Sequence, residues 1–148
     1  MEHQTFEQLR GVADLHPAEP RPTTRRERLD RWAALLEAQA GTRLNALPEI
    51  EFRSRAERVM LRSENSPLTV AFADPVLRLE GLSSDRLGDG MEFFSLTERE
   101  VHTLLCSCMG GASMDAREAG RRVRKLAGAA EAVGWRAWLV GLFREPRA

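Results

Sequence analysis

Four times in this chain a Ser, Thr or Asp stands three residues ahead of a Glu, just before an apolar-periodic run: Thr24/Glu27, Ser54/Glu57, Ser95/Glu98 and Asp115/Glu118. That is the spacing of a capping box, in which the first side chain accepts from the N3 backbone N–H while the Glu reaches back to the cap's own N–H. Each cap stabilises its helix by about 1 kcal/mol. With four such starts in 148 residues, the expected fold is mainly α: five or six short helices with a minor one- or two-stranded β element. An α+β arrangement is the second choice.

The segments between the caps fill in this outline. After Thr24, the residues Leu29, Trp32, Ala33, Leu36 and Ala40 repeat at i, i+3, i+4, i+7 and i+11, one buried stripe, and Gly41 is a natural stop. Ser54 precedes Ala56, Val59 and Met60. Leu68, Val70 and Phe72 alternate with Thr69, Ala71 and Ala73, the pattern of a strand. Residues 74–80 admit two readings. Asp74-Pro75 suits the start of a short helix with Pro at N1, while Leu77 and Leu79 suit a second strand. Gly81 to Gly90 is loop by composition, and its Asp85 and Asp89 do not match a calcium-loop spacing.

Ser95 starts a helix with core residues Val101, Leu104, Leu105 and Cys108. Met109 to Ser113 forms a turn, and the next helix buries Ala119, Val123, Leu126, Ala127 and Ala130. Gly134 interrupts, then Trp135, Trp138, Leu139 and Leu142 make a third stripe. The expected core draws on Trp32, Leu36, Val70, Phe72, Phe94, Leu104, Leu105, Val123, Leu126, Trp138 and Leu142. Ahead of it, residues 1–15 carry Phe6, Leu9, Val12 or Ala13, and Leu15 at loosely helical spacing. Pro17, Pro20 and Pro22 then forbid helix. The chain divides into residues 1–22, an N-terminal helix with a Pro-rich linker, and residues 23–148, one globular helical domain.

Charge narrows the partners. The 22 basic and 22 acidic side chains cancel, so no global field draws the protein to nucleic acid or an anionic surface. Two cysteines one residue apart make no disulfide framework, the N-terminus lacks a signal-peptide layout, and no apolar run nears the roughly 20 residues that span a bilayer. The cytoplasm is the expected compartment, without membrane contact.

Two constellations carry chemistry. Arg117, Arg121 and Arg124 fall on one helix stripe, flanked by Arg122 and Lys125, so residues 95–130 outline a helix-turn-helix-like DNA-binding regulator. Glu118 partly neutralises Arg121 and Arg122, and Asn or Gln for base-edge readout is missing from this helix. Leu96-Thr97-Glu98-Arg99-Glu100 resembles the opening of the LuxR-type DNA-binding domain. That resemblance implies DNA binding but covers five residues, and the downstream turn and recognition helix depart from the family pattern.

The second constellation is His102 and Cys106, donors for zinc or haem iron at i, i+4. Cys106 and Cys108 would lie about 200° apart on a continuing helix, so a Cys-x-Cys clamp requires the helix to end near Leu105. The remaining nitrogen donors, His3 and His16, sit in the N-terminal tether. No nucleophile elbow, Cys/His signature or phosphate loop is present, so no catalytic residues and no cofactor are expected. The function expected first is a small, non-enzymatic adaptor or regulatory protein acting through protein–protein contact, including self-association as a homodimer. DNA binding ranks second, and a metal or haem sensor at His102/Cys106 third.

Overall fold

The computed structural model describes residues 21–48, 50–107 and 111–142, with the side chains of Glu51 and of residues 130–142 outside the description. The N-terminal helix expected over residues 1–15, its linker as far as Pro20, and Cys108 fall outside these residues. So do the side chains of Trp135, Trp138, Leu139 and Leu142. Among the described residues there are seven α-helices and a two-stranded antiparallel sheet, so the chain is mainly α with a minor β element.

Helix α1 (Arg25–Ala38) starts at its expected box: Thr24 Oγ1 accepts from the Glu27 N–H at 3.2 Å, and Glu27 accepts from the Thr24 N–H at 2.9 Å. Its stripe of Leu29, Trp32, Ala33 and Leu36 is fully buried, while Ala40 lies exposed past the helix end. The chain reverses at Gly41, whose φ of +84° suits only a residue without Cβ. It then forms strand β1 (Arg43–Asn45). A 3-10 turn (Ile50–Phe52) leads to helix α2 (Arg55–Met60), opened by the Ser54/Glu57 box.

Residues 67–79, read from the sequence as one or two strands, are instead two helices, α3 (Pro67–Ala73) and α4 (Pro75–Leu79). The reason is local. Ser66 and Asp74 each cap a helix whose N1 residue is proline, and proline pre-sets the helical φ where its missing N–H costs nothing. The two cap–proline pairs, Ser66-Pro67 and Asp74-Pro75, thus override the alternation of Leu68, Val70 and Phe72. Of the two readings of residues 74–80, the capped helix is the one adopted and the strand is not.

The glycine-rich stretch is also helical at its end: α5 spans Leu87–Phe94. Its glycines mark close approach. A Cβ on Gly88 would stand 2.6 Å from Val59 Cγ1 and 2.9 Å from its carbonyl oxygen, and one on Gly90 2.7 Å from Leu68 Cδ2. Ser95 does not cap the next helix. It ends α5 in the left-handed region, φ 51°, and Thr97 with Glu100 forms the box that opens α6 (Glu98–Leu105).

The turn expected at 109–113 runs into strand β2 (Ser113–Asp115), which pairs with β1 in the register Arg43–Asp115, Leu44–Met114 and Asn45–Ser113. The β element therefore joins residues 43–45 to 113–115 rather than lying at 68–80. Asp115 then accepts from the Glu118 N–H at 3.2 Å at the start of α7 (Ala116–Leu142). Helix α7 continues through Gly134 without the expected break; at about 1 kcal/mol, one interior glycine does not end a helix of 27 residues.

Because β1 follows α1 and β2 precedes α7, the strand pair brings these two helices together. Glu37 lies against Gly120 and Asp30 against Arg124, so they run antiparallel. Their shared core is Trp32, Ala33, Leu36, Ala119, Val123 and Ala127, closed by Phe94, Leu104 and Leu105. Of the other expected core residues, Val70 is buried, and Phe72 and Leu126 are partly buried.

Candidate functional site

The basic helix face expected from the sequence is divided by its neighbours. Arg124 is held by α1: its guanidinium donates to both Glu37 oxygens, at 3.0 and 2.7 Å, and lies 3.6 Å from Asp30. These bonds hold the Glu37 carboxyl below its ordinary value and raise the Arg124 guanidinium. Arg121 pairs with Glu118 at 3.7 Å, and Arg122 with the same carboxylate at 3.3 Å. Arg117 is exposed on the α1 side, within the electrostatic reach of Glu37. Lys125 is exposed on the other side, toward α6.

There Lys125 and Arg122 line a half-open groove of about 620 Å³ between α6 and α7. Leu104 from α6 and Leu126 and Ala129 from α7 form its apolar lining. Arg99 from α6 faces the two α7 cations across it. Neither the Arg99 guanidinium nor the Lys125 ammonium makes an ion pair among the described residues. Thr97 and Glu100 close one end, and Glu100 is spoken for. Its carboxylate takes the Thr97 N–H at 2.8 Å and two bonds from Arg25, at 3.0 and 3.1 Å. The net character is an apolar trough whose rim carries Arg99 and Lys125 as cations outside any ion pair among the described residues, with Arg122 held by Glu118.

Arg99 and Leu104 are not candidate site residues by sequence: Arg99 lies inside the Leu96–Glu100 motif that opens α6, and the apolar spacing places Leu104 in the core. Nothing local shows that α6 lies along α7; that follows from the distant pairing of β1 with β2. Arg122, noted as a flanking cation, turns out to stand between the groove and a smaller cavity of about 240 Å³ beside Cys106 and Asp115.

His102 and Cys106 are not arranged as helical i, i+4 neighbours. Helix α6 ends at Leu105, and Cys106 has extended backbone, φ −74° and ψ 137°. It bridges to Leu47 and is 3 % exposed. Its sulfur is in a disulfide, so in this structure the position offers no thiolate to a metal. Partly exposed His102 lines neither cavity. Among the described residues no group of three or more His, Cys, Asp or Glu is placed to hold a metal ion. None of their helices is long and apolar enough to cross a membrane. The chain matches no family model, no curated protein and no solved structure.

Proposed function

We propose that this chain is a small, non-enzymatic adaptor or regulatory protein of the cytoplasm that works by holding an apolar, acidic protein segment in the α6–α7 groove. The observation that carries this reading is the pairing of an apolar lining (Leu104, Leu126, Ala129) with the cations Arg99 and Lys125. An amphipathic helix meets such a groove with anchors at i, i+3, i+4 and i+7. Acidic flanks would steer it and fix its register more than they would add affinity.

A second exposed apolar surface favours protein contact as well. Helix α2 buries none of its own residues, and Phe52, Val59 and Met60 are exposed around it. DNA binding by residues 95–130 is less well supported by the same geometry, since Arg124 is committed to Glu37, and Arg121 and Arg122 to Glu118.

Selection of displayed peptides of about 15 residues on the purified protein tests the proposal. Enrichment of apolar residues at helical spacing with Asp or Glu beside them, lost on Lys125→Glu, is the expected result. Enrichment indifferent to Lys125→Glu and to Leu126→Glu would show that this groove is not the contact surface.

A further inference from the structure

Resting on that reading of the groove, we infer that Lys125 is an acyl-acceptor site. Its ε-amine takes an acyl group from a thioester donor, and the attached tail fills the α6–α7 trough and shuts out an acidic partner. The first observation is one of composition. Lys125 is the one lysine among the 22 basic side chains, and all the others are arginine. A guanidinium stays protonated and is a poor nucleophile, whereas an ε-amine is readily acylated and loses its charge when it is. Of the groove's cations Arg99, Arg122 and Lys125, only Lys125 can be discharged in this way.

The second observation is where that amine stands. Arg122, Lys125, Leu126 and Ala129 follow at i, i+3, i+4 and i+7, so α7 turns them to one side, and all four line the groove. Its neighbours on α7 are engaged, Arg122 by Glu118 at 3.3 Å and Arg124 by Glu37 at 2.7 Å. Lys125 is exposed and makes no ion pair among the described residues, so its amine is open to a reagent from solvent. It stands at the lip of the lining made by Leu104, Leu126 and Ala129. At about 620 Å³, the trough is of the size that holds small apolar ligands. Amine and trough together suit an acylated lysine, with the amide at the lip and the tail along Leu104 and Leu126.

The transfer balances without an oxidant or a metal. The ammonium gives one proton to solvent, and the free amine attacks the thioester carbonyl carbon. A C–N bond forms, the C–S bond breaks, and the sulfur leaves as a thiol with the proton that nitrogen then gives up. Arg99, on the opposite wall, offers an anionic donor a counter-charge as it approaches. The amide product is neutral, so an acidic partner loses one of its two cations. For an exposed pair that loss is worth about two- to fivefold. Filling the trough does more: each methylene taken from water favours the closed state about fourfold, and the tether holds the tail at millimolar effective concentration.

The test treats the full-length protein with the acetyl or the hexanoyl thioester of coenzyme A and locates the product by peptide mass. The affinity of a groove peptide obtained by display selection is then measured before and after. The expected result is acylation of Lys125 in the folded protein, with peptide affinity about two- to fivefold lower after acetylation and at least about tenfold lower after hexanoylation. Lys125→Arg, which accepts acyl groups only at the chain's α-amine, should keep through the treatment whatever affinity it starts from. Equal losses with the two acyl groups, or the same loss in Lys125→Arg, would overturn the acyl-lysine site and leave the groove reading intact. So would a Lys125 that is acylated only after unfolding in urea. If selection yields no peptide whose binding depends on Leu126, the groove reading falls and this inference falls with it.

Discussion

At the scale of single residues, burial decides which of the ion pairs matter. Asp74 is 7 % exposed, caps α4 by accepting from the Leu77 N–H at 3.1 Å, and takes two bonds from Arg31 at 2.6 and 3.0 Å. Asp74→Ala removes the cap and two charge-assisted bonds from Arg31, so it is expected to cost about 2–3 kcal/mol, read as a fall in the urea midpoint at unchanged m-value. The Arg124–Glu37 pair, with side chains 47 % and 31 % exposed, belongs to the class contributing about 0–1 kcal/mol. Its signature is in pH instead. The Glu37 carboxyl titrates below its ordinary 4.5 because Arg124 is bonded to it. The stabilisation is therefore present above the unfolded value and fades as pH falls through the folded one. Melting temperatures taken from about pH 6 to about pH 3 should show Glu37→Gln less stable than wild type at the upper end, with the gap closing toward the lower end. A gap independent of pH would assign Glu37 a packing role only.

At the scale of elements, the same residue type has opposite meaning at two places in α7. A Cβ on Gly120 would stand 2.9 Å from the Ala33 carbonyl oxygen and 2.7 Å from Glu37 Cγ, whereas one on Gly128 meets nothing within 4 Å. Gly128→Ala should therefore stabilise by up to about 1 kcal/mol through helix propensity. Gly120→Ala should destabilise by about 1–2 kcal/mol net, since forcing α1 and α7 apart outweighs that gain. Thermal unfolding of the two variants side by side reads both signs. The elements most legible in the sequence are those whose information is local. Thr24/Glu27 and Ser54/Glu57 cap as their spacing says, and the Leu29–Leu36 stripe is buried in full. At Ser95 the spacing misleads, because Thr97-Glu100 offers the same chemistry two residues on and Leu96 must be buried between them. Elements held by tertiary contact were opaque. Glycines that break an isolated helix admit α5 against Val59 and Leu68, and β1 and β2, three residues each, carry too little pattern to announce their pairing. The candidate site was half legible for the same reason. Lys125 was singled out as a cation, but that Leu104 and Leu126 face one groove depends on that hidden pairing.

At the scale of the whole molecule, α1 is the hub. Its Trp32 is fully buried, stacks on Phe94 of α5 at 4.5 Å between ring centroids, and donates its indole N–H to the Pro67 carbonyl of α3 at 2.9 Å. Arg28 reaches the Phe93 carbonyl, Arg31 holds the cap of α4, Arg25 holds Glu100 of α6, and the Ala33 face seats α7. Helices α3 to α7 are thus each tied to α1, while α2 packs on α5, where Val59 lies against Gly88. Unfolding should be a single cooperative step, since releasing any layer exposes apolar surface on α1 and releasing α1 exposes all of them. Trp32→Phe keeps an aromatic ring in the stack but shrinks it and removes the indole donor to the Pro67 carbonyl. The expected cost is about 2–4 kcal/mol, from cavity and lost hydrogen bond together. Because α1 is common to both sides, the most slowly exchanging amides of α3 and of α7 should lose protection by the same factor in that variant. If only the α3 amides opened, with α7 still protected at the wild-type level, the two sides would be separate cooperative units. The α6–α7 groove would then rest on a part of the fold that Trp32 does not hold.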